Sequence, residues 1–288
     1  MRFLTPAFSA LLAVLSPFSQ AQETYPTRSI RLIVPAPPGG GADALARSLA
    51  TALTDKKGWT VAVENKTGAG GNIAGAEVAR ATPDGYTFLL ADSGQLAINS
   101  SLYKSMAYDP QKDFTPIAYV ADFPVLLVAN PSFAAKTVAE LLALARKSPG
   151  TIAYASTGVG TPQHLGGHLF AQTAGVQLLH APYRGGAPAM AALLGGEVPI
   201  GFVGLPPTVA QVRAGKVHAL AIGSAQRSPL LPNVPTMAES GLSGYEAKVW
   251  FGWVGPAGLP SAVVQTVSRA LVDVLKEPAM EKRLADLG

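Results

Sequence analysis

The chain has 288 residues, 48% of them hydrophobic and only 14% charged, with a net charge of +4 and no cysteine. That length supports a well-buried core in one large domain or two lobes, and the low charge excludes charge-driven disorder. Lysine and arginine are scattered without a basic stripe, which argues against a nucleic-acid partner, and the lack of cysteine removes disulfides, thiolate catalysis and cysteine metal sites.

Met1 to Ala21 reads as a secretory signal. Arg2 gives the positive start, Phe8 to Leu15 the apolar stretch, and Ser19-Gln20-Ala21 the small residues of a cleavage site near Ala21. The stretch is shorter than the ~20 apolar residues a bilayer span needs. Export to the periplasm is therefore expected, with a mature chain starting near Gln22.

From there, apolar β-rich runs alternate with helical ones, the pattern of an α/β fold with mostly parallel strands. Strands are predicted at Ile30–Pro35, Thr60–Glu64, Thr87–Ala91, Ile117–Val120, Val125–Ala129, Ile152–Ala155, Leu178–Ala181, Ile200–Val203, Ala219–Ile222 and Lys248–Val254. Helices are predicted at Ala42–Leu53, Ile73–Ala81, Val138–Lys147, Gln163–Ala174, Pro188–Gly195, Pro207–Ala214 and Ala262–Lys276. Around Phe114–Phe123 the apolar runs lose their helical spacers, and Gly223–Pro235 is rich in Pro and Ser, so the chain could cross between two lobes at both places. The pattern alone leaves this open against a single doubly wound sheet.

The first strand leads into Pro35-Ala-Pro-Pro-Gly-Gly-Gly41, where Gly39, Gly41 and Ala44 fit a relaxed dinucleotide fingerprint and Glu64 stands where a ribose-binding acid would. The prolines stiffen the turn and supply no N–H, and Asp43 at the helix start would repel a pyrophosphate, so this reading fails and no cofactor is expected. Four further glycine loops follow strands: Asn65–Asn72, Asp92–Gly94, Ala155–Thr161 and Tyr183–Gly186. Free N–H groups at a helix start attract anions, and glycine lets a ligand approach the backbone. Several such loops on one cleft could hold a carboxylate. Gly40→Val is then expected to abolish binding, because a Cβ obstructs that approach and disfavours special φ values.

Catalytic patterns are weaker. His164 and His168 share a helix face, but Leu165 stands where a zincin needs Glu, so no metal site is expected. Ser93 and Ser156 lack a nucleophile elbow, although an exported serine hydrolase remains the rival from another class. Trp59, Trp250 and Trp253 read as core or cleft wall.

The segments YPTRSIRLIVPAPPGGGADALAR, VENKTGAGGNIAGAEVARATPDGYTFLL, ASTGVGTPQHLGGHLF, HAPYRGGAPAMAALLGGEV, VRAGKVHALAI, VPTMAESG and WFGWVGPAGLP occur in this order along nearly the whole mature chain. On these motifs the chain resembles the solute receptors of tripartite tricarboxylate transporters, also called Bug receptors. The resemblance implies a two-lobed α/β periplasmic binding protein, type II-like, whose two crossover strands form a hinge. Lobe I would comprise residues 22–122 and 224–288, and lobe II residues 123–223. It implies capture of a small carboxylate between the lobes without turnover, delivery to membrane permease subunits, and action as a monomer; a receptor feeding a signalling partner would use the same closure. By position, the first-lobe site would include Pro38, Gly39, Gly40, Asp43, Asn72 and Ser93, with Asp43 ordering its loop. The second lobe would add Ser156, Thr157, Gly160, Thr161, His164, Tyr183, Gly185 and Ala187, with Val203 and Gly204 near the cleft. Relatives often carry an acid where Pro199 stands and Asp-Asn where Val203-Gly204 stands, which favours an amine-free mono- or dicarboxylate here. They also usually continue past RLADLG with another strand and helix.

Overall fold

The computed structural model describes residues 25–287, and the expected signal segment, Met1 to Ala21, lies outside the described residues. β1 (Ile30–Val34) leads to α1 (Gly41–Lys57), β2 (Val61–Asn65) to α2 (Asn72–Ala79), and β3 (Thr87–Asp92) through a helical turn to α3 (Asn99–Leu102). β1 lies between β2 and β3, parallel to both. α1 forms where Ala42, Leu45, Ala46, Leu49, Ala50 and Leu53 recur at helical spacing and are buried, and Gly58 in the left-handed region closes it by donating to the Leu53 and Thr54 carbonyls.

β4 (Phe114–Ala129) is one strand of 16 residues where two shorter ones were expected. Register shifts after Pro116 and Tyr119 bend it, and Pro124, which has no N–H to donate, stands where it changes partners. After it come α4 (Val138–Lys147), β5 (Ala153–Ser156), α5 (Pro162–Ala174), β6 (Leu179–Pro182), α6 (Gly186–Leu194), β7 (Ile200–Gly204), α7 (Leu205–Arg213) and β8 (His218–Ile222). The chain returns through β9 (Lys248–Pro256) to α8 (Ser261–Leu275) and α9 (Pro278–Leu287). α9 was not expected; Met280, Leu284 and Leu287 give it a short apolar stripe, of which Met280 is buried.

The sheet runs β2-β1-β3-β9-β4-β7-β5-β6, with β8 also on β4. Phe114–Pro124 of β4 pairs antiparallel with β9, which in turn pairs with β3. Val125–Ala129 instead lies between β7 and β8. Two lobes therefore share one curled sheet, and β4 passes from one to the other. Beside it the Val125 N–H donates to Ala247 O at 2.9 Å, Ala247 N–H to Gly223 O at 2.8 Å, and Gly223 N–H to Val125 O at 2.8 Å. Between Gly223 and Ala247 the chain stays on the second lobe: Thr236 bridges Ile222, and Tyr245 OH donates to Gly166 O at 2.9 Å.

The largest apolar cluster joins Leu32 and Leu49 to Phe123, Phe251 and Trp253 and continues into Leu127 and Phe202 of the second lobe. Smaller clusters lie beneath α6 and α7 and beneath α2. Among the described residues, no helix is long and apolar enough to cross a membrane.

Candidate binding cleft

The carboxyl ends of β1, β2, β3, β5, β6 and β7 open into one cleft of about 320 Å³ between the lobes. Carboxyl ends of parallel strands are where open α/β sheets place their ligands, and this volume suits a small molecule.

Helices begin at that cleft, and their starts differ in kind from α4. α4 begins away from it with a full capping box, Thr137 and Glu140. α1, α2, α6 and α7 have Gly40, Gly71, Gly185 and Gly204 at the cap position, none with a side chain to accept from the first turn. The positive ends of four helix dipoles thus border the cleft; α1 and α6 also bring first-turn N–H groups, whereas Pro206 and Pro207 at the start of α7 have none. Only α5 is capped there, by Thr161, whose hydroxyl accepts from His164 N–H at 3.3 Å. α8, starting elsewhere, follows Pro260 and also lacks a side-chain cap.

The lobes touch across the opening. Tyr103 OH donates to Val159 O at 3.1 Å. Gly185, at φ +114°, packs where an added Cβ would strike the Pro37 ring, so glycine is required there for both conformation and approach.

The positions expected for the site separate into three groups. Gly40, Thr157, Thr161, Tyr183, Gly185 and Gly204 line the cleft. A second group lies behind the wall and shapes it. Asp43 is buried and accepts from Gly39 N–H at 3.0 Å, from Asn65 Nδ2 at 3.0 Å and from Arg47. Burial pushes its carboxyl up, but the bonds from Arg47, Gly39 and Asn65 outweigh this and hold it below its ordinary value. Asn72 Oδ1 accepts from Asn99 Nδ2 at 2.8 Å and Tyr108 OH at 2.9 Å. Gly160 N–H donates to His164 Nδ1 at 3.4 Å. Ser156 Oγ lies 2.6 Å from His180 Nε2, and Ser93 Oγ is buried without a partner among the described residues.

A third group stands away from the cleft. Pro38 and Gly39 occupy the exposed outer side of their loop, Ala187 is exposed on α6, and the Val203 side chain is in the core. Gly40 has an ordinary φ of −85°, and the residue in the left-handed region is Gly39, at +83°. The conformational reason for Gly40→Val to fail is therefore corrected; only obstruction of the cleft remains. Pro199 sits at the far end of β7 from the cleft, beside Asn130, so its lack of charge carries no information about the ligand.

The sequence reading passed over Asp92, Gln95, Tyr103, Phe123 and Arg184, all of which line the cleft. Asp92 was visible only as part of a glycine turn, and Tyr103 lies outside every predicted element. Asp92 Oδ1 accepts from Gly94 N–H at 2.6 Å. Burial pushes its carboxyl up to about 6, against the opposing pull of Gly94 and Gln95.

The serine-histidine pair has the wrong setting for a nucleophile. Ser156 is fully buried, and His180 stacks on His164 at 4.1 Å and on Tyr154 at 5.0 Å. Burial first, then the neighbouring His164, lowers His180 to about 4. Among the described residues no carboxylate bonds to that imidazole, so nothing holds it as a triad base is held.

A pair of lobes joined through shared strands, with helix starts facing one cleft, defines a ligand-binding protein of the two-lobed class. Residues 45–288 match the tripartite tricarboxylate transporter family receptor, and the chain belongs to that family. It is 37% identical over 282 residues to protein BugT of Bordetella pertussis, covering 98% of this chain and 86% of BugT. Its fold is similar to the periplasmic binding protein BugD (TM-score 0.86, 41% identity, 91% of this chain and 88% of BugD). It is also similar to an R. palustris protein solved with adipate (TM-score 0.89, 36% identity, 92% and 88% covered). MatC from Rhodopseudomonas palustris, solved with bound malate, is a further likeness (TM-score 0.86, 32% identity, 92% and 90% covered).

Proposed function

We propose that this chain is a periplasmic receptor that closes its two lobes on a small organic carboxylate and hands it to a tripartite permease, after loss of its leader near Ala21. The observation that carries the reading is the convergence of four helix starts, capped by Gly40, Gly71, Gly185 and Gly204, on one cleft of about 320 Å³. Such a wall binds a carboxylate through backbone N–H groups without an arginine beneath it. The adipate and malate found in two similar structures point to a dicarboxylate. The working lobe boundary lies near Ala247 rather than Gly223, because the chain between them packs on the second lobe. Burial of Ser156 argues for capture rather than hydrolysis.

Thermal unfolding of the mature chain against a panel of mono- and dicarboxylates tests this. An acid present at 100 times its Kd should add about 2.7 kcal/mol, or roughly 5–10 °C in Tm. No shift with any acid would overturn the reading.

A further inference from the structure

We propose that Asp92 and one carboxylate of the bound acid share a proton, so that the anion enters the cleft together with a hydrogen ion. This rests on the receptor reading above and adds to it the protonation state of the complex.

Asp92 ends β3 and forms part of the cleft wall. Its carboxylate accepts the Gly94 N–H and is also favoured by the Gln95 amide, but among the described residues no lysine, arginine or histidine pairs with the group. The titratable groups around it do not neutralise it. Tyr108 feels its charge, but burial first and Asp92 second raise that phenol, and its proton is given to Asn72 and Gln95 O. Tyr103, on the same wall, is also raised by burial and donates across the cleft to Val159. From the Thr67–Gly71 loop the cleft receives a threonine, an alanine and glycines, none of them titratable, and β9 brings Phe251 beside Asp92. From the second lobe Arg184 reaches the cleft at its exposed side.

The cleft wall thus contains, among the described residues, one carboxylate with no cation beside it. Two carboxylates confined together cannot both stay ionised, because like charges in a shared site raise one of them strongly. A single proton between them turns that repulsion into a short O–H···O⁻ bond. Asp92 is already prepared for this, since burial holds it near 6 before any ligand arrives. The proton comes from solvent and returns to it on release. An acid bearing an ammonium group would meet Asp92 differently, keeping it ionised as a counter-ion. Asp92 has only Gly94 and Gln95 to support its charge, and burial outweighs both, which favours the protonated form.

Calorimetry of the mature chain with adipate, malate, aspartate and glutamate decides it, run at pH 6, 7 and 8 in two buffers of different ionisation enthalpy. Adipate or malate should bind with uptake of close to one proton at pH 8, and Kd should weaken approaching tenfold per unit between pH 7 and 8. Asp92→Asn, whose amide donates without titrating, should abolish the uptake, flatten the profile and bind at pH 8 about tenfold or more tighter than wild type. If that variant does not fold, the wild-type proton count decides alone. Binding of any of these acids without proton uptake overturns the proton-sharing inference and leaves the receptor reading standing; if aspartate and glutamate alone bind in this way, Asp92 is the counter-ion of their ammonium. Binding of none of the four overturns the inference, and the acid panel above then decides the receptor reading separately.

Discussion

Asp43 shows how one carboxylate can serve a binding loop without meeting the ligand. It lies in the first turn of α1, beneath the loop that carries Gly40, and is 4% exposed. Its oxygens draw together Gly39, Asn65 and Arg47, and Asn65 also donates to Ala36 O at 2.9 Å, so the prolines and glycines above are tied to β2. Asp43→Ala takes the charged acceptor from the half-buried Asn65 amide, the Gly39 N–H and Arg47, and should lower stability by about 1–3 kcal/mol in urea titrations. The sign with pH follows from a folded value depressed below the unfolded one. The Asp43 contribution is full above the unfolded carboxyl value of about 3.9, and is lost as pH falls through the lower folded value. The gap between wild type and Asp43→Asn should therefore narrow between pH 6 and pH 3. A gap that stays constant would remove the network from the account.

Among the elements, the loops after β1, β2 and β3 meet those after β5 and β6 across the cleft, and Tyr103 makes a polar part of that contact. Tyr103→Phe keeps the ring and deletes the hydroxyl that reaches Val159 O. A net loss of about 0.5–1.5 kcal/mol, or roughly 2–10-fold in affinity, should appear as faster ligand release in stopped-flow, with Tm of the free protein unchanged. Unchanged release would mean that closure does not use this bond. The regular elements were legible because their burial follows their period: Leu45, Leu49 and Leu53 mark α1, and Val125 to Ala129 form a fully apolar run that becomes the shared part of β4. α9 carries only the short stripe of Met280, Leu284 and Leu287, and fusion of two short strands into β4 is decided by pairing with β9, which no local pattern records. The glycine loops were legible as helix starts. Which side of a loop faces the cleft was not: Gly40 lines it while Gly39 points outward, although the two are identical in chemistry. Tyr103 was hidden for a related reason, since its partner Val159 comes from the opposite lobe.

At the scale of the whole molecule, capture and folding share the same hinge. Phe123 on β4 and Phe251 on β9 pack with ring centroids 5.3 Å apart, and both also line the cleft. The apolar core therefore passes from lobe to lobe through the two strands on which the lobes would turn. On one side of that hinge the cleft is bordered by the starts of α1 and α2, on the other by those of α6 and α7. A dicarboxylate held at both ends would bridge them and favour the closed state by its added contacts, as any ligand shifts an equilibrium only through differential affinity. The most direct test is a crystal structure of the mature chain with the acid that stabilises it most. The acid is predicted between the lobes, with carboxylate oxygens within hydrogen-bond distance of backbone N–H groups just after Gly40, Gly71 or Gly185. An acid bound outside the cleft, or one whose carboxylates meet only side-chain cations, would contradict it.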